Sequence, residues 1–187
     1  MRRLLLTGHG GFLGHFVQQA ARGSRTVVGV SRSAHPPHVA FDLAGGDIEG
    51  LVADVQPDAI IHLAANGFVD ECQDHPQRTA ALNVEATRRL AEVAARTHLP
   101  FVFTSTDQVY RGDRRDWSEV DDPDPVNTYG RQKAAAEEAV RSVHPDAVVA
   151  RLSLMLGPHP DGRGYLDKLT RQVLAGETLT LFTDEFR

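Results

Sequence analysis

Short runs of aliphatic and β-branched residues alternate along the chain with longer segments in which apolar residues recur at helical spacing. Such apolar runs are typical of strands buried in a parallel sheet, and the amphipathic segments predict helices. The alternation indicates an α/β fold, a doubly wound parallel sheet with helices on both faces. The predicted strands lie at residues 4–7, 26–30, 39–41, 59–65, 100–104, 147–152 and 179–182, and the predicted helices at 12–20, 48–55, 76–97, 129–143 and 166–174.

The first predicted strand ends in a glycine-rich turn. Gly8, Gly11 and Gly14 lie three residues apart, where strand gives way to helix. Glycines allow a tight turn and a close backbone approach here, and the N–H groups at the start of the helix near Phe12 would face an anion. Leu13 takes the last glycine position of G-x-G-x-x-G, so the pattern is the looser G-x-x-G-x-x-G. The turn alone leaves two interpretations, a cradle for phosphate groups and a plain glycine-rich connection.

Composition excludes several functional classes. A chain of 187 residues that is 41% hydrophobic is long enough for one domain with a proper core. Its formal net charge of −5 provides no basic field, so we expect no nucleic-acid partner. Cys72 is the only cysteine and the nine histidines show no metal-ligand spacing, so we expect neither a disulfide nor a metal site. The apolar run after Arg3 stops at Thr7, too short for a signal peptide, and no run approaches a membrane span, so we expect a cytoplasmic protein.

Candidate catalytic side chains follow the predicted strand at 100–104 and open the predicted helix at 129–143. Ser105 and Thr106 follow Thr104 at a strand end, where the ligands of parallel sheets collect. Tyr129 and Lys133 are four residues apart, on one face of a helix. An ammonium one turn from a phenol is expected to lower the pKa of the phenol, as a general acid near neutral pH requires. With three tyrosines and two lysines in the chain, this spacing is expected by chance about 0.03 times, which favours a catalytic pair over a surface pair.

Three motifs occur in an order typical of one family. The glycine turn from Thr7 to Gly14, the segment Ser105-Thr106-Asp107-Gln108-Val109-Tyr110, and Tyr129-x-x-x-Lys133 preceded by Pro125 resemble extended short-chain dehydrogenases/reductases, the NAD(P)-dependent epimerase/dehydratase superfamily. The resemblance is strongest to sugar-nucleotide reductases of the dTDP-4-dehydrorhamnose reductase type. It implies a Rossmann-type NADP(H)-binding domain with the catalytic residues at 1–156, and the beginning of a small substrate-binding lobe at 157–187. Those reductases continue for about a hundred further residues, so we expect most of the substrate lobe to be absent from this sequence.

The resemblance also implies catalytic roles. Tyr129 would protonate the carbonyl oxygen of a substrate as hydride arrives from the nicotinamide, and Lys133 would hold the nicotinamide ribose and keep the tyrosine pKa low. Thr106 would hydrogen-bond the same oxygen, and Ser105 would supply a second hydroxyl. For both hydroxyls the alternative is a strand-end turn that satisfies its own backbone. Asn83, inside the predicted helix at 76–97, would support the nicotinamide end of the site or, alternatively, be a buried asparagine bonded to backbone.

The residues after the second predicted strand indicate which dinucleotide is bound. NAD-preferring relatives carry an acidic residue there, which binds the ribose 2′-OH. Here Ser31 and Arg32 follow the strand, and no acidic residue occurs between Gly14 and Asp42, which favours NADP(H) over NAD(H). Arg32 would pair with the 2′-phosphate and Ser31 would donate to it, unless Arg32 is a solvated surface residue. The implied cofactor-binding residues are Gly8, Gly11, Phe12, Leu13, Gly14, Ser31 and Arg32, with Asp42 and Leu43 at the adenine edge, Ala64 and Ala65 under the cofactor backbone, and Asn83, Thr104, Tyr129 and Lys133.

The reaction class follows from what the motifs lack. Dehydratases of the superfamily have a glutamate where this chain has Gln108, and an amide cannot abstract a proton. Epimerases usually prefer NAD, which Ser31 and Arg32 disfavour. We therefore expect an NADPH-dependent reductase of a keto-sugar nucleotide. An epimerase or dehydratase, a non-catalytic NADP(H)-binding regulatory subunit and an inactive fragment are the alternatives. By analogy with relatives, the long helices at 76–97 and 129–143 would form a homodimer.

Overall fold

Six parallel strands form a single sheet in the part of the chain that the computed structural model describes, residues 2–33, 35–114, 116–162 and 164–180. The strands are β1 Arg2–Thr7, β2 Arg25–Ser31, β3 Val39–Ala40, β4 Ala59–His62, β5 Phe101–Thr106 and β6 Val148–Leu152. Their order is β3-β2-β1-β4-β5-β6, and every neighbouring pair is parallel. The sheet therefore grows in opposite directions from β1 and β4, and the carboxyl ends of these two strands flank the switch point at which open α/β sheets bind ligands.

Helices connect the strands, and three of the helices bury one face of the sheet. They are α1 Phe12–Ala21, α2 Ile48–Val55, α3 Val69–Asp74, α4 Pro76–Ala80, α5 Thr87–Arg96, α6 Thr128–Val143 and α7 Tyr165–Leu174. The main core combines apolar side chains of the strands with those of α2, α5 and α6, and its fully buried members include Leu5, Ile60, Leu90, Phe103 and Val140. Burial of such side chains supplies the main driving force for this fold. Within the described ranges, no helix has both the length and the apolar character needed to cross a bilayer.

The sequence prediction of the fold class is confirmed, and its element bounds need three corrections. The predicted strand at 59–65 ends at His62, because the next residues turn into the loop at the switch point. The short helix α3 is missing from the prediction. Leu179 and Thr180 are not in a strand, and the rest of the predicted strand at 179–182 lies outside the described residues.

The predicted helix at 76–97 is present, but its middle is wider than an α-helix. Between α4 and α5, residues Ala81–Ala86 form a π-helical segment. Single π turns inside α-helices are rare and occur frequently at functional sites. Asn83 lies in this segment and is almost completely buried. The periodicity of apolar residues predicts a helix here, but it does not distinguish an α-helical turn from a wider one.

A buried histidine links β1 and β4 to the start of α5. Thr87 Oγ1 donates to Asn83 O (2.9 Å), so it accepts from His62 Nε2–H, also at 2.9 Å. His62 Nδ1 is then the acceptor for the Thr7 hydroxyl (2.6 Å). Thr7 Oγ1 in turn accepts the N–H groups of Leu63 and Ala64. This chain of hydrogen bonds fixes His62 as the neutral Nε2–H tautomer and fixes the loop that follows β4.

Burial, with a smaller contribution from the charge of Lys133, lowers the pKa of His62 to about 3. Unfolded, the same side chain titrates near its ordinary value of about 6.5. Between these values the unfolded chain binds about one more proton than the folded chain, so the free energy of unfolding falls by about 1.4 kcal/mol for each pH unit as the pH drops. Above pH 6.5 the contribution of neutral His62 to the free energy of unfolding is fully present.

The substitution His62→Gln tests this proton linkage, because glutamine keeps a donor and an acceptor but does not titrate. We expect the variant to be less stable at pH 7, since glutamine cannot reproduce both hydrogen bonds of the ring. Between pH 6 and 4, however, its unfolding free energy should fall less steeply than that of the parent, by about 1.4 kcal/mol per pH unit. Urea unfolding at a series of pH values measures both slopes, and equal slopes would contradict a neutral buried histidine.

Candidate functional site

The glycine turn closes so tightly that side chains are excluded from it. Gly8 has a positive φ of 70°. A Cβ at Gly8 would lie 2.8 Å from Ala64 N, and one at Gly14 would lie 2.5 Å from Gly8 O. Gly11 N donates to Gly8 O (3.0 Å), and Gly11 is the N-cap of α1, so it has no side chain to occupy the first-turn N–H groups. Backbone donors at the start of α1, beside the ends of β1 and β4, suit an anion such as a diphosphate.

The residues predicted to bind the adenosine end lie beside this turn. Gly8 N donates to Val30 O (3.1 Å), which joins the glycine turn to the end of β2. Ser31 is half-buried as the last residue of that strand, and Arg32 is exposed directly after it. Asp42 is exposed and accepts from Ala44 N, whereas Leu43 is buried. A serine and a free-standing arginine therefore occur where NAD-binding folds carry an acidic residue.

One residue of this region is missing from the sequence prediction. The ring of His9 packs against Gly29 so closely that a Cβ there would lie 2.4 Å from His9 Cγ. Its ring centroid is 4.4 Å from that of His38, whose Nδ1 accepts from Gly29 N. His9 follows Gly8 inside the glycine turn, and its position within the motif is the signal that could have identified it.

The start of α6 is locked onto the turn that follows β5. Asn127 is the N-cap, and its Oδ1 accepts from Gly130 N (2.7 Å) while its Nδ2 donates to Gln108 Oε1 (3.0 Å). Gly130 is required because a Cβ there would lie 2.2 Å from Gln108 O. Tyr129 lies between these two residues in the first turn of the helix. The sequence therefore holds the Tyr129 phenol beside the strand end that carries Thr106.

Tyr129 also borders the loop after β4. A Cβ at Gly67 would lie 3.9 Å from Tyr129 Oη. Burial, and then the nearby Cys72 and Asp107, raise the pKa of Tyr129 to about 12. The pKa of Tyr129 is thus raised, whereas the neighbouring lysine is expected to lower it. The lysine does not counteract these effects in this structure, because its ammonium is engaged elsewhere.

The Lys133 ammonium is buried below the end of β5. Its Nζ donates to Thr104 O (2.7 Å) and lies 4.1 Å from the centre of the Phe103 ring. Burial lowers the pKa of Lys133 to about 7, although Glu137 acts in the opposite direction. Thr104 Oγ1 donates to His62 O (3.2 Å), so both groups of Thr104 already have protein partners.

The two predicted hydroxyls have different surroundings. Thr106 Oγ1 donates to Asp107 Oδ1 (3.1 Å) and accepts from Gln108 N (3.2 Å), which is the strand-end turn given as the alternative interpretation. Ser105 is buried, and its hydroxyl oxygen has no hydrogen-bond partner among the described residues. A catalytic role for either hydroxyl stays a prediction.

The side chain of Asn83 is engaged in hydrogen bonds to other residues of the chain. Its Oδ1 accepts from Asn66 N (2.7 Å), and its Nδ2 donates to Asn66 O (3.0 Å) and to Gln132 Oε1 (2.7 Å). Gln132 Nε2 donates onward to Thr79 Oγ1 and Pro76 O. These contacts agree with the alternative of a buried asparagine bonded to backbone, and they fix the loop that carries Ala64 and Ala65. Gln132 is missing from the sequence prediction, although a polar residue directly before Lys133 on a buried helix is a usable signal.

No group of three or more His, Cys, Asp or Glu side chains that could hold a metal ion occurs among the residues that the structure describes. The ionisable groups near Tyr129 are instead the thiol of Cys72, the carboxylate of Asp107 and, one turn along α6, the ammonium of Lys133. Together with the anion cradle, they lie at the carboxyl edge of β1, β4 and β5, where open α/β sheets bind ligands.

Comparisons with known proteins agree on one family. A family model described as RmlD substrate binding domain matches residues 1–187. The probable low-salt glycan biosynthesis reductase Agl14 of Haloferax volcanii is 34% identical over 190 residues, covering 96% of this chain and 63% of the relative. Methionine adenosyltransferase 2 subunit beta of Bos taurus is 33% identical over 159 residues, covering 83% of this chain and 48% of the relative. The crystal structure of dTDP-4-dehydrorhamnose reductase from Bacillus anthracis in complex with NADP matches with a TM-score of 0.84 and 25% identity, over 96% of this chain and 62% of that one. The chain thus spans between about half and less than two thirds of these proteins.

The substitution Gly14→Ala tests how tightly the glycine turn is packed. Gly14→Ala would normally favour a helix, but here the new Cβ meets the carbonyl oxygens of Gly8 and His9, which are backbone atoms and cannot move freely. We expect a loss of at least about 2 kcal/mol in unfolding free energy, measured by urea denaturation. The matched control is Gly45→Ala, whose Cβ would meet only Asp42 Oδ2 at 3.8 Å. It should change stability by less than about 0.5 kcal/mol, and equal effects of the two substitutions would contradict the packing described here.

Proposed function

The chain belongs to the family described as RmlD substrate binding domain, and from this membership we propose that it binds NADP(H) and carries the catalytic residues of an NADPH-dependent reductase of a keto-sugar nucleotide. The observation that carries this proposal is the loop after β4. At one end, Ala64 closes against Gly8 of the anion cradle, and at the other end Gly67 borders the hydroxyl of Tyr129. A diphosphate and a reacting carbonyl would thus lie at opposite ends of one short, rigid segment.

The residues available for the adenosine end favour a phosphorylated dinucleotide. The guanidinium of Arg32 matches the geometry of a phosphate, and Ser31 adds a hydroxyl donor at the same strand end. An NAD-binding site would instead use a carboxylate to accept from the ribose 2′-OH. The related reductase from Bacillus anthracis was crystallised in complex with NADP, which supports the same preference.

When bound, NADPH supplies the hydride that reduces a carbonyl carbon. The chain's own residues would handle the proton. With its pKa raised, Tyr129 stays protonated at neutral pH and can donate to the carbonyl oxygen as that oxygen becomes an alkoxide, which is more basic than a phenolate. Thr106 would donate to the same oxygen once its hydroxyl hydrogen turns away from Asp107 Oδ1. Lys133, one turn along α6, would keep its bond to Thr104 O and use another of its three N–H groups to donate to ribose hydroxyls.

The surroundings of Gln108 support reduction over water elimination. Its side-chain oxygen accepts from Asn127 Nδ2, so the amide helps to cap α6 instead of facing a substrate. An amide in that position cannot act as the base of a dehydratase. An epimerase is disfavoured by Ser31 and Arg32, because it retains its cofactor through the reaction and usually prefers NAD.

A non-catalytic NADP(H)-binding subunit is the second candidate. It is favoured by the 33% identity to the beta subunit of methionine adenosyltransferase 2. The two candidates differ in one measurement, because only the reductase oxidises NADPH when a keto-sugar nucleotide is added. A homodimer formed through α5 and α6 stays a prediction of the family resemblance, and analytical ultracentrifugation of the chain tests it.

Tyr129→Phe tests the proposed proton donor. We expect NADPH oxidation with dTDP-4-dehydrorhamnose as the probe to fall by at least about 100-fold, because general acid catalysis is lost. The Kd for NADPH, measured by fluorescence titration, should change less than about twofold, which is below 0.5 kcal/mol. The control is Tyr165→Phe, which alters an exposed tyrosine on α7. Undiminished turnover in Tyr129→Phe would refute the role, whereas NADPH binding without oxidation in the parent would favour the second candidate.

Arg32→Ala tests the cofactor preference. Loss of a charge-assisted bond to the 2′-phosphate should weaken NADPH binding about 10- to 100-fold while leaving the weaker binding of NADH unchanged. Arg22→Ala, at the exposed C-terminal end of α1, is the matched control and should affect neither ligand. If NADH bound as tightly as NADPH and Arg32→Ala changed neither affinity, the assignment of the 2′-phosphate site would be wrong.

A further inference from the structure

Among the described residues, the buried Lys133 ammonium has no carboxylate in direct contact. The side chain is almost fully enclosed, and its ammonium faces a neutral backbone carbonyl at Thr104 and the ring of Phe103. A carbonyl oxygen and an aromatic face each attract a cation, but neither carries a full negative charge. Burying an unpaired ammonium favours its neutral form. Something nearby must therefore oppose this tendency if the side chain is to act as a cation.

The carboxylate of Glu137, on the same helix face, acts against this tendency. It follows Lys133 by one turn of α6 and is completely buried. Arg151 Nε donates to its Oε1 (3.0 Å) and Arg151 Nη2 to its Oε2 (2.7 Å), while Arg141 Nη2 approaches Oε2 at 3.0 Å. Burial raises the pKa of Glu137, but the hydrogen bonds from Arg151 and the charges of Arg151 and Arg141 outweigh it and leave the pKa below its ordinary value. Glu137 is therefore an anion within the core.

The carboxylate of Glu137 is also held by residues outside α6. Arg151, on β6, donates its Nη1 to Tyr110 Oη (2.6 Å), and Tyr110 Oη donates to Ser118 O (2.6 Å). Arg151 also lies 4.9 Å from the centre of the Tyr110 ring. These contacts tie the segment after β5 to β6 and leave Glu137 little freedom to move away from Lys133.

We propose that Glu137 is a positioning residue whose buried carboxylate, fixed by Arg151, keeps the Lys133 side chain charged and held against Thr104 at the edge of the proposed cofactor site. That this edge belongs to a cofactor site rests on the proposed function. The electrostatic relation between the two side chains does not, because both belong to the folded chain alone.

His62, Tyr129 and Cys72 have pKa values that are displaced from the range where Lys133 titrates. The pKa of His62 lies at about 3 and that of Tyr129 at about 12, and burial raises the pKa of Cys72 above its ordinary value. The arginines stay charged throughout. The titratable and charged groups that face Lys133 and its neighbours on α6 are His62 from β4, Cys72 from α3, Asp107 from the turn after β5, Tyr129, Glu137 and Arg141 from α6, and Arg151 from β6.

The test is a titration of Lys133 by NMR, using the full chain labelled with ¹³C at the lysine Cε. The chain has only two lysines, and Lys168→Arg identifies the second resonance. In the parent we expect the Lys133 resonance to titrate with a midpoint near pH 7. In Glu137→Gln, which keeps the shape of the side chain but removes its charge, the midpoint should fall by about one pH unit.

Two further variants distinguish the effect of the Glu137 charge from the effect of its side-chain packing. Glu137→Asp keeps the charge but shortens the side chain, and its midpoint should stay within about half a pH unit of the parent. Glu138→Gln removes the exposed carboxylate of the next residue and should leave the midpoint unchanged. A purely structural role predicts the reverse, with the shorter Asp side chain the more disruptive. A midpoint in Glu137→Gln equal to that of the parent, or an equal shift in Asp and Gln, would overturn the proposal.

Arg141→Gln keeps the proposal testable if Glu137→Gln does not fold. The Arg141 side chain is half-exposed, so the variant should fold, and it removes a positive charge one turn beyond Glu137. The Lys133 midpoint should rise by a few tenths of a pH unit. An unchanged or lower midpoint would contradict the proposal. Fluorescence titration with NADPH across the same pH range distinguishes the two hypotheses, since absence of NADPH binding would refute the proposed function while leaving the NMR result intact.

Discussion

The hydrogen bond between Thr7 and His62 determines the geometry of the switch point. It joins the carboxyl ends of the two central strands, and the Thr7 oxygen also accepts the first two N–H groups of the loop beyond β4. That loop contacts the glycine turn through Ala64 and the phenol of the candidate site through Gly67. Because the pair is fully buried, neither group can exchange its partner for water without a large loss of stability. The floor of the site is therefore rigid where the sheet divides.

Helix α6 distributes three ionisable side chains from one face into three environments. Tyr129 reaches the loop after β4, Lys133 reaches the backbone of β5, and Glu137 reaches Arg151 on β6. The four-residue spacing is a simple property of the helix, but its consequence is that one rigid element spans the three strands that border the site. The Asn127 cap and the contact of Gly130 with Gln108 fix where this helix begins, so all three side chains share one anchor.

Most of the strands and the main helices follow from local patterns, which is why they are predictable from sequence. A short β-branched run such as residues 26–30 is typical of a buried strand, and β2 contains it. The glycine spacing and the Tyr129–Lys133 pair are equally local, and the structure brings both to the carboxyl edge. What the sequence does not reveal depends on distant partners. The π-helical turn and the hydrogen bonds of Asn83 require Asn66 and Gln132 to be in place, and the direction of the Tyr129 pKa depends on burial and on Cys72 and Asp107.

The π-helical segment between α4 and α5 changes how this stretch can evolve. A wider turn holds one residue more than the α-helical turn it replaces, so a single-residue deletion at 81–86 would restore a regular helix without breaking the chain's path. Each residue rotates an α-helix by about 100°, and the deletion would turn Thr79 on the preceding helix out of line with Gln132. Helices ordinarily resist insertions and deletions because the register of a whole face is lost. Here the helix could accommodate a single-residue deletion, but the deletion would break the hydrogen bonds that connect the loop at the switch point to α6.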